Sequence, residues 1–477
     1  MAADEPCWLP AIELATLIAA GETSPVEVVE AVLSRIDASQ PGLNAFITVC
    51  HDGALAAARE AEAALARGDP PGPLHGVPFS VKDLVNTAGV RTTFGSLTMA
   101  DNVPTGDSLT VARLKAAGAI LIGKTTTPEF GHKPLTEGPL FGRTANPWSA
   151  GHTAGGSSGG AAAAAAAGLA PLALGTDGGG SIRIPAACCG VVGLKASLGR
   201  IPHDQAADIF GNLTYMGPIT RTVADSALML QIMAGPDPCD PFSLGLEEPD
   251  FQAAADGSGD LTGLRLAWRP YLGNTAIEPE ILAMTEACLP VFEDLGARVE
   301  AQADDFTNTE PTWLVITHSV WASRFQHLVA QSANRMDPSL LAQVGKGNAY
   351  SAVELQDAAR LRSELFRQVQ GWFEDHDLIV MPTLTRTAVP IDSDPLGQVE
   401  IAGQAAGSLR AAWYPYTHPF NLTGHPAMTL PCGFAANGLP VGLQLVAPWH
   451  GEARLLRAAA LFEAARPWAQ RRPDLPL

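Results

Sequence analysis

The chain has 477 residues, of which 47% are hydrophobic and 17% charged, a balance typical of a folded protein with a sizeable core. Its formal net charge of −19 argues against nucleic acid or an anionic membrane surface as a partner, because both are polyanions. Seven scattered cysteines without a C-x-x-C pair favour reduced thiols and a cytoplasmic location. The N-terminal stretch MAADEPCWLP has no basic or apolar leader pattern, so no signal peptide or membrane span is expected.

The predicted elements begin with helices and then alternate between strands and helices. SPVE at 24–27 forms a capping box with proline at the first helical position and predicts a helix to about residue 38. A strand at 44–49 and an Ala/Glu-rich helix at 53–67 follow. Strands are then predicted at 76–85, 119–123 and 191–196, with helices at 107–118 and 160–168. This alternation predicts an α/β fold with a large mixed, mostly parallel twisted sheet covered by helices on both faces.

The second half of the chain has weaker patterns. Residues 256–310 resemble a small strand–helix–strand insert, and helices dominate 311–375. A strand at 377–384, a hairpin at 427–447 and a helix at 451–466 complete the prediction. With no clear linker, we expect a single domain over 1–477. It would comprise a helical N-terminal region (1–68), a catalytic core (about 70–235 and 377–466) and a variable insert (about 240–375).

Two sequence patterns suggest other functions. GAILIGKT at 118–125 fits the phosphate-loop expression, but its middle residues form an apolar strand pattern and no helix follows, so we reject an ATP site. GGSSGG at 155–160 contains the G-x-S-x-G elbow of α/β-hydrolases. The preceding segment is a polar loop rather than a strand, which leaves an esterase of that type as a weaker alternative.

A third set of residues is more specific because its members occur together. Lys82 ends a predicted strand, GGSSGG follows with its first serine seventy-five residues later, and LGTDGGGSIRIP leads into Ser181. Taken with GVPFSVKDLVNTAGVRTTFGS, GKTTTPEFG and PFNLTGHPAMTLPCG, these segments resemble the amidase signature family over most of the chain. The differences from the usual family pattern, such as TTTPE, do not involve the reacting groups.

The resemblance implies an amidohydrolase with a Ser–Ser–Lys triad that forms an acyl-enzyme. Ser181 would attack the amide carbonyl, Ser157 would relay its proton and Lys82 would accept it. In the family the peptide bond before the relay serine, here between Gly156 and Ser157, is cis. Lysine can serve as a base only when uncharged, so its pKa must fall by about three units from roughly 10.4, a shift that burial favours.

Neighbouring residues would support this chemistry. Three consecutive glycines expose their backbone N–H groups, which predicts an oxyanion hole from Gly178, Gly179 and Gly180 together with the Ser181 N–H. We expect the two loops to be held by Ser158, Asp177 and Arg183. The simpler interpretations are a helix cap for Ser158 and a surface salt bridge for Asp177 and Arg183. Asp83 should face away from Lys82 and support loops.

The substrate is less well defined by the sequence. Residues near the motifs are candidates to line an apolar or aryl site: Phe130, Gly131, His132, Arg200, Ile201, Pro202, Trp413, Tyr414 and Tyr416. We expect a small-molecule amide or carbamate (urethane) substrate, no cofactor, no metal, and a monomer or homodimer. The alternatives are the glutaminase subunit of a tRNA-dependent amidotransferase and a catalytically silent scaffold.

Overall fold

The N-terminal helices form where the sequence supplies capping residues. The computed structural model describes residues 5–274, 276–303 and 306–475. Helix α1 spans Ala11–Ala19, and α2 spans Pro25–Leu43 with a complete capping box between Ser24 and Glu27. Helix α2 continues past its expected end near residue 38, because its last turns bury further residues, and it ends at Asn44 in a left-handed conformation. Helix α3, His51–Arg67, ends at Gly68, as the pattern predicts.

Eleven strands of the described chain form one large sheet. They are β1 Phe46–Val49, β2 Pro78–Lys82, β3 Ile120–Thr125, β4 Leu172–Asp177, β5 Val192–Lys195, β6 Tyr215–Thr220, β7 Arg265–Trp268, β8 Arg298–Ala301, β9 Leu378–Pro382, β10 Ala427–Phe434 and β11 Pro440–Val446. Their spatial order is β1-β3-β2-β4-β6-β5-β10-β11-β9-β7-β8. The predicted mixed sheet is confirmed. Its described pairings are antiparallel through the centre and at the β1 edge, so parallel pairs are the minority: β2 with β3 and β4, and β7 with β8 and β9.

Helices cover both faces of this sheet. The remaining α-helices are α4 Leu109–Ala116, α5 Gly159–Ala166, α6 Arg183–Cys189, α7 Val223–Met233, α8 Phe251–Ala254, α9 Pro279–Glu286, α10 Leu289–Asp294, α11 Glu310–Ser332, α12 Pro338–Gly347, α13 Ala352–Asp375, α14 His418–Thr423 and α15 Glu452–Ala465. Helices α7 and α15 share one apolar core with the sheet, and α5 and α6 share a second core on the opposite face. The alanines of α5 are buried, since small side chains let this helix approach the sheet closely.

The segment expected to be a variable insert contributes to both the sheet and the core. Strands β7 and β8 extend the sheet beyond β9 through parallel pairing. Helices α11, α12 and α13 form a third core with residues of β9 and β11. The predicted division into regions stays a prediction, but this segment is packed against the sheet.

Short elements complete the chain. Two-residue to five-residue strands form three small hairpins: Glu137–Gly138 with Gly142–Arg143, Ala145–Asn146 with Ser149–Thr153, and Gln398–Ile401 with Gln404–Ser408. Single helical turns lie at Glu5–Trp8, Leu97–Met99, Glu129–Gly131, Pro241–Ser243 and Ala333–Arg335, and a π-helical turn at Leu409–Trp413. No helix within the described ranges has the length and hydropathy needed to cross a bilayer.

The structure shows where the phosphate-loop pattern and the G-x-S-x-G pattern lie in this fold. The residues of GAILIGKT form β3, and the Lys124 ammonium donates to Thr87 and Thr92 hydroxyls and to the Val85 carbonyl in a buried position. A phosphate loop is therefore excluded there. The segment before GGSSGG was expected to be a loop, but Ser149–Thr153 forms a strand of a small hairpin outside the main sheet.

Candidate active site

Lys82 lies fully buried at the end of β2, where β2 runs parallel to β4. Its Nζ donates to Ser157 Oγ at 2.7 Å and to Thr176 Oγ1 at 3.0 Å. Burial lowers the pKa of Lys82 well below its ordinary value, and the charge of Asp177 opposes this only in part. Burial therefore favours the uncharged amine, which already has a hydroxyl partner.

Ser157 stands in the loop that precedes α5. The peptide bond from Gly156 to Ser157 is cis, and the side chain is 2% exposed. A methyl group at Gly131, which has a positive φ of 73°, would lie 3.2 Å from Ser157 Oγ and 2.7 Å from the Leu84 side chain. The absence of a side chain at Gly131 therefore keeps space beside the Ser157 hydroxyl.

Ser181 follows the three glycines that connect β4 to α6, and it lines the same cavity as Ser157. The Ser158 N–H donates to the Ser181 carbonyl at 3.1 Å, which holds the two loops together. Within the described chain, Ser181 Oγ has no hydrogen-bond partner. The contact between the two hydroxyls that a relay needs is therefore not formed as a hydrogen bond in this structure.

The backbone N–H groups of the glycine loop differ in their partners. Gly180 N–H donates to Asp177 Oδ1 at 2.6 Å, and Ile182 N–H donates to Asp177 Oδ2 at 3.2 Å. The expectation that Gly180 contributes to an oxyanion hole is wrong, because its donor is already used. Among the described residues, the N–H groups of Gly178, Gly179 and Ser181 have no partner and remain as candidate donors.

Asp177 and Arg183 form a buried ion pair, so a surface salt bridge is excluded. Both side chains are completely buried, and Arg183 Nε lies 2.9 Å from Asp177 Oδ2. Burial favours the neutral acid, but the Arg183 charge and hydrogen bonds from Arg183 and Asn421 outweigh it, and the pKa of Asp177 falls below its usual range. Arg183 also donates to Thr417 O, Gln444 Oε1 and Asn421 Oδ1, which fastens the loop to α14 and β11.

Ser158 and Asp83 both hold loops. Ser158 Oγ donates to the Thr176 carbonyl at 3.1 Å and accepts from the Thr176 N–H at 3.3 Å. It makes no capping hydrogen bond to α5, so it links its loop to β4. The Asp83 carboxylate accepts from the backbone and hydroxyl of Thr93, which supports the loop after β2, as expected.

The candidate triad opens onto a cavity of about 210 Å³. Phe130, Gly131 and His132 line it on one side, and Tyr414 lines it on another, as predicted. Its volume is below the roughly 300–1,000 Å³ of drug-sized sites, which favours a small substrate.

Other predicted pocket residues serve the core. Arg200 pairs with Glu452 at 3.2 Å, and Ile201 packs in the first core. Trp413 is fully buried and donates to the Arg386 carbonyl. These three assignments to the pocket are wrong, because each side chain is buried against other residues and does not line the cavity. Pro202 and Tyr416 do not line the cavity either.

Sequence reasoning missed much of the cavity wall. Thr176, the second partner of Lys82, immediately precedes Asp177 in the motif and could have been found from that position. Further missed residues include members of α11, of the loop before β6 and of the π-helical turn: His203, Leu213, Trp313, Ile316, Val320, Trp321, Arg324 and Arg410. No local signal connects α11 to the motifs, because that contact arises only from the fold.

The two histidines in the described lining of the cavity, His132 and His203, hydrogen-bond groups other than the two serines. His132 hydrogen-bonds through Nδ1 to the Glu129 carbonyl and through Nε2 to Ser339 Oγ. Burial lowers the pKa values of His132 and His203 to about 4. In the described residues, neither Ser157 nor Ser181 hydrogen-bonds a histidine, so the geometry does not favour the esterase alternative.

Sequence similarity extends over nearly the whole chain. The amidase family model matches residues 27–456. An acylamidase from Rhodococcus erythropolis is 42% identical over 468 residues, which cover 98% of this chain and 97% of the relative. The chain belongs to the amidase signature family. As a member of that family it is a hydrolase of carbon–nitrogen amide bonds.

Two further comparisons place this amidase within the family. A glutamyl-tRNA(Gln) amidotransferase subunit from Roseiflexus sp. (strain RS-1) is 36% identical over 486 residues, covering 96% of each chain. The crystal structure of a bacterial aryl acylamidase of the amidase signature family superposes with a TM-score of 0.90 at 31% identity, covering 97% of each chain. The amidase signature fold expected from the motifs is confirmed.

Proposed function

We propose that this amidase cleaves a small apolar or aryl carboxamide, or the related urethane, through an acyl-enzyme on Ser181. The observation that carries the proposal is the 2.7 Å hydrogen bond from the buried Lys82 amine to Ser157 Oγ. A serine hydroxyl is a weak nucleophile near pH 7 and needs a base. An amine whose pKa is lowered by burial supplies one without imidazole.

Acylation begins when Ser181 Oγ attacks the substrate carbonyl carbon. The Ser181 proton passes to Ser157 Oγ while the Ser157 proton passes to Lys82 Nζ, which becomes an ammonium. The carbonyl oxygen gains the negative charge and accepts from the free N–H groups of the glycine loop. Collapse of this intermediate breaks the C–N bond, and the proton returns through Ser157 to the leaving nitrogen.

Deacylation repeats these steps with water as the nucleophile. Water adds to the ester carbonyl as its proton passes through Ser157 to Lys82. The tetrahedral intermediate then expels Ser181 Oγ, which recovers a proton by the same path. The products are a carboxylic acid and an amine. With a urethane, cleavage of the C–N bond gives a carbonic half-ester and an amine, and cleavage of the C–O bond gives a carbamic acid and an alcohol. No metal or cofactor enters these steps.

The lining of the cavity supports an apolar group on the substrate. Phe130, Ile316 and Val320 provide aromatic and aliphatic surface, and the Phe130 ring stacks on Phe325 with centroids 4.3 Å apart. Apolar surface of this kind favours aryl and alkyl groups over the charged α-ammonium and α-carboxylate groups of glutamine. The alternative, a glutaminase role within an amidotransferase, has support from the similarity to the amidotransferase relative and predicts a requirement for glutamine and a partner.

A substrate panel with matched serine variants tests the proposal. The panel contains a nitroanilide, a primary amide, an ester, a urethane and glutamine, each with the purified chain alone. We expect anilide or urethane turnover that Ser181→Ala removes, together with fluorophosphonate labelling of the Ser181 peptide in mass spectrometry. Ser80→Ala is the control, because Ser80 Oγ is buried in β2 without a hydrogen-bond partner and should leave turnover unchanged.

The opposing outcomes are equally specific. Labelling at Ser157 instead of Ser181 would favour the elbow-type esterase. Turnover of glutamine only after addition of a partner protein would favour the amidotransferase role. A chain that neither reacts with the fluorophosphonate nor turns over any substrate would favour a silent scaffold.

A further inference from the structure

The carbonyl groups of the glycine loop are held by side chains from distant segments. Trp313 Nε1, from α11, donates to the Gly178 carbonyl at 2.9 Å. Thr417 Oγ1, just before α14, donates to the Gly179 carbonyl at 2.7 Å. Trp313 is 5% exposed and Thr417 is fully buried, so water competes little for either bond. Neither residue belongs to the motifs that contain the triad.

The neighbouring carbonyls are held as well. Asn421 Nδ2 donates to the Asp177 carbonyl at 2.9 Å, and the Ile184 N–H donates to the Gly180 carbonyl at 2.7 Å. Four consecutive peptide units are therefore fixed through their oxygens. A loop of three glycines has few conformational restrictions of its own, so these bonds restrict it.

Fixing a carbonyl also fixes the N–H group of the same peptide unit. In a trans peptide the C=O of one residue and the N–H of the next point in opposite directions. The bond from Trp313 to the Gly178 oxygen thus directs the Gly179 N–H away from Trp313. The bond from Thr417 to the Gly179 oxygen directs the Gly180 N–H, which meets Asp177 Oδ1.

Steric contacts show that the same two side chains also require glycine in the loop. A methyl group at Gly179 would lie 2.8 Å from the Trp313 ring, and one at Gly180 would clash with Thr417 Oγ1. By contrast, the nearest atom to a methyl group at Gly178 is 3.5 Å away. The two glycines that cannot be substituted without a clash are thus the two that face Trp313 and Thr417.

We propose that Trp313 is a positioning residue that orients the Gly179 N–H as an oxyanion-hole donor, while Thr417 holds the adjoining peptide unit, whose N–H is bound to Asp177. The proposal rests on the proposed function, in which Ser181 is the nucleophile and the free N–H groups bind the oxyanion. Trp313 also lines the cavity, and the Arg410 guanidinium packs over its ring, 4.6 Å from the ring centroid. One indole therefore contacts both the substrate space and the donor loop.

Trp313→Phe tests this role because it removes the Nε1 donor and keeps an aromatic ring. With the best substrate of the panel, we expect kcat to fall roughly 10- to 100-fold, somewhat less than complete removal of an oxyanion donor, while KM changes less than about threefold. The Ki of a trifluoromethyl ketone analogue, whose adduct with Ser181 carries an oxyanion, should rise by a similar factor. Thr417→Val, a variant of nearly equal shape that removes the bond to the neighbouring peptide unit, should change both quantities less, because the N–H of that unit is bound to Asp177 and is not a free donor.

Two tryptophan controls separate positioning from packing. Trp321→Phe alters another cavity tryptophan on the same helix and should change mainly KM. Trp372→Phe alters a buried tryptophan on α13 outside the cavity and should change neither kinetic constant. Thermal unfolding of all variants identifies any that are not folded.

The outcomes distinguish the two proposals. If folded Trp313→Phe keeps wild-type kcat and Ki while Ser181→Ala is inactive, the positioning role of Trp313 is overturned and the proposed nucleophile stands. If kcat falls without any change in Ki, the positioning role is likewise overturned. If Ser181→Ala keeps wild-type turnover, the proposed function itself is overturned.

Discussion

The two walls of the cavity are built on different principles. The inner wall, at the ends of β2 and β4, contains Lys82, Ser157 and Thr176 in a continuous hydrogen-bonded arrangement that is almost entirely buried. The outer wall consists mainly of apolar side chains of α11, including Ile316 and Val320, with loops around it. Hydrogen bonds have strict geometry, whereas apolar contacts tolerate changes of shape. The inner wall is therefore suited to carry out the proposed reaction, and the outer wall is suited to select the substrate.

Trp313 contacts both walls of the cavity. Its ring belongs to the outer wall, and its Nε1 reaches the Gly178 carbonyl of the loop that leads to Ser181. Substitutions in the two walls should consequently differ in kind. Inner-wall changes should affect kcat, outer-wall changes should affect kcat/KM differently for different substrates, and changes at Trp313 should affect the stabilisation of the oxyanion.

The largest effect is expected for Lys82→Met. The variant keeps an unbranched side chain of similar length but has no base, so kcat should fall roughly 10²- to 10⁴-fold, the usual contribution of general acid–base catalysis. Lys124→Met is the matched control, since Lys124 is a buried lysine on the adjacent strand β3 that does not line the cavity. Initial rates on the preferred substrate measure both. A folded Lys82→Met enzyme with wild-type kcat would contradict the assignment of the base.

The second effect concerns the pH dependence of stability. Because burial lowers the pKa of Lys82 in the folded chain, the unfolded chain binds more protons between that pKa and roughly 10.4. The free energy of unfolding should rise with pH in this window, and Lys82→Met should reduce the slope by up to about 1.4 kcal/mol per pH unit. Burial also lowers the pKa of Lys195, so its contribution to the pH dependence of unfolding should remain in the Lys82→Met variant. Urea unfolding at several pH values tests this, and identical slopes in both proteins would show that Lys82 is charged when folded.

A smaller, substrate-dependent effect is expected on the outer wall. Ile316→Ala removes apolar surface from the cavity and should lower kcat/KM for an anilide about tenfold, while a primary amide without an aryl group should change less than about threefold. Leu314→Ala, on the same helix but outside the cavity lining, is the control. Equal losses for both substrates would mean that α11 does not contribute to selectivity.

The smallest effect is expected for Gly178→Ala. The new methyl group meets nothing closer than Thr214 Oγ1 at 3.5 Å, and the Gly178 φ is not positive, so activity should stay within about threefold of wild type. Gly180→Ala should lower activity far more, because the new methyl group would clash with Thr417 Oγ1 and the backbone φ of 126° is strained for alanine. Comparable kcat values for the two variants would contradict this description of the loop.

The inner wall could be predicted from the sequence because its residues lie in short motifs whose local structure follows from their composition. Lys82 ends an apolar strand, and Ser157 and Ser181 lie in glycine-rich loops beside buried elements. The parallel pairing of β2 with β4 then brings the ends of both strands together. The prediction for Gly180 was wrong because the sequence does not show which N–H the Asp177 carboxylate will take.

The outer wall could not be predicted in this way. Trp313 is more than 130 residues from the loop that it contacts, and the helical pattern of α11 gives no indication of what that helix packs against. Arg200 and Trp413 were predicted to line the pocket because they lie near motifs in the sequence, yet both side chains are buried with other partners. The sheet was predicted as mostly parallel because alternating elements suggested βαβ units, while β4, β6, β5 and β10 pair antiparallel.

The proposed mechanism depends on an uncharged Lys82 amine, and an NMR titration measures the protonation state of this amine directly. The chain contains only six lysines, so ¹³Cε-labelled lysine gives few resonances, and Lys82→Met identifies the one from Lys82. We expect this resonance to titrate well below those of exposed lysines and to report the neutral amine at the pH of maximal activity. Titration of Lys82 near 10.4, with an ammonium present throughout the active range, would show that Lys82 is not the base.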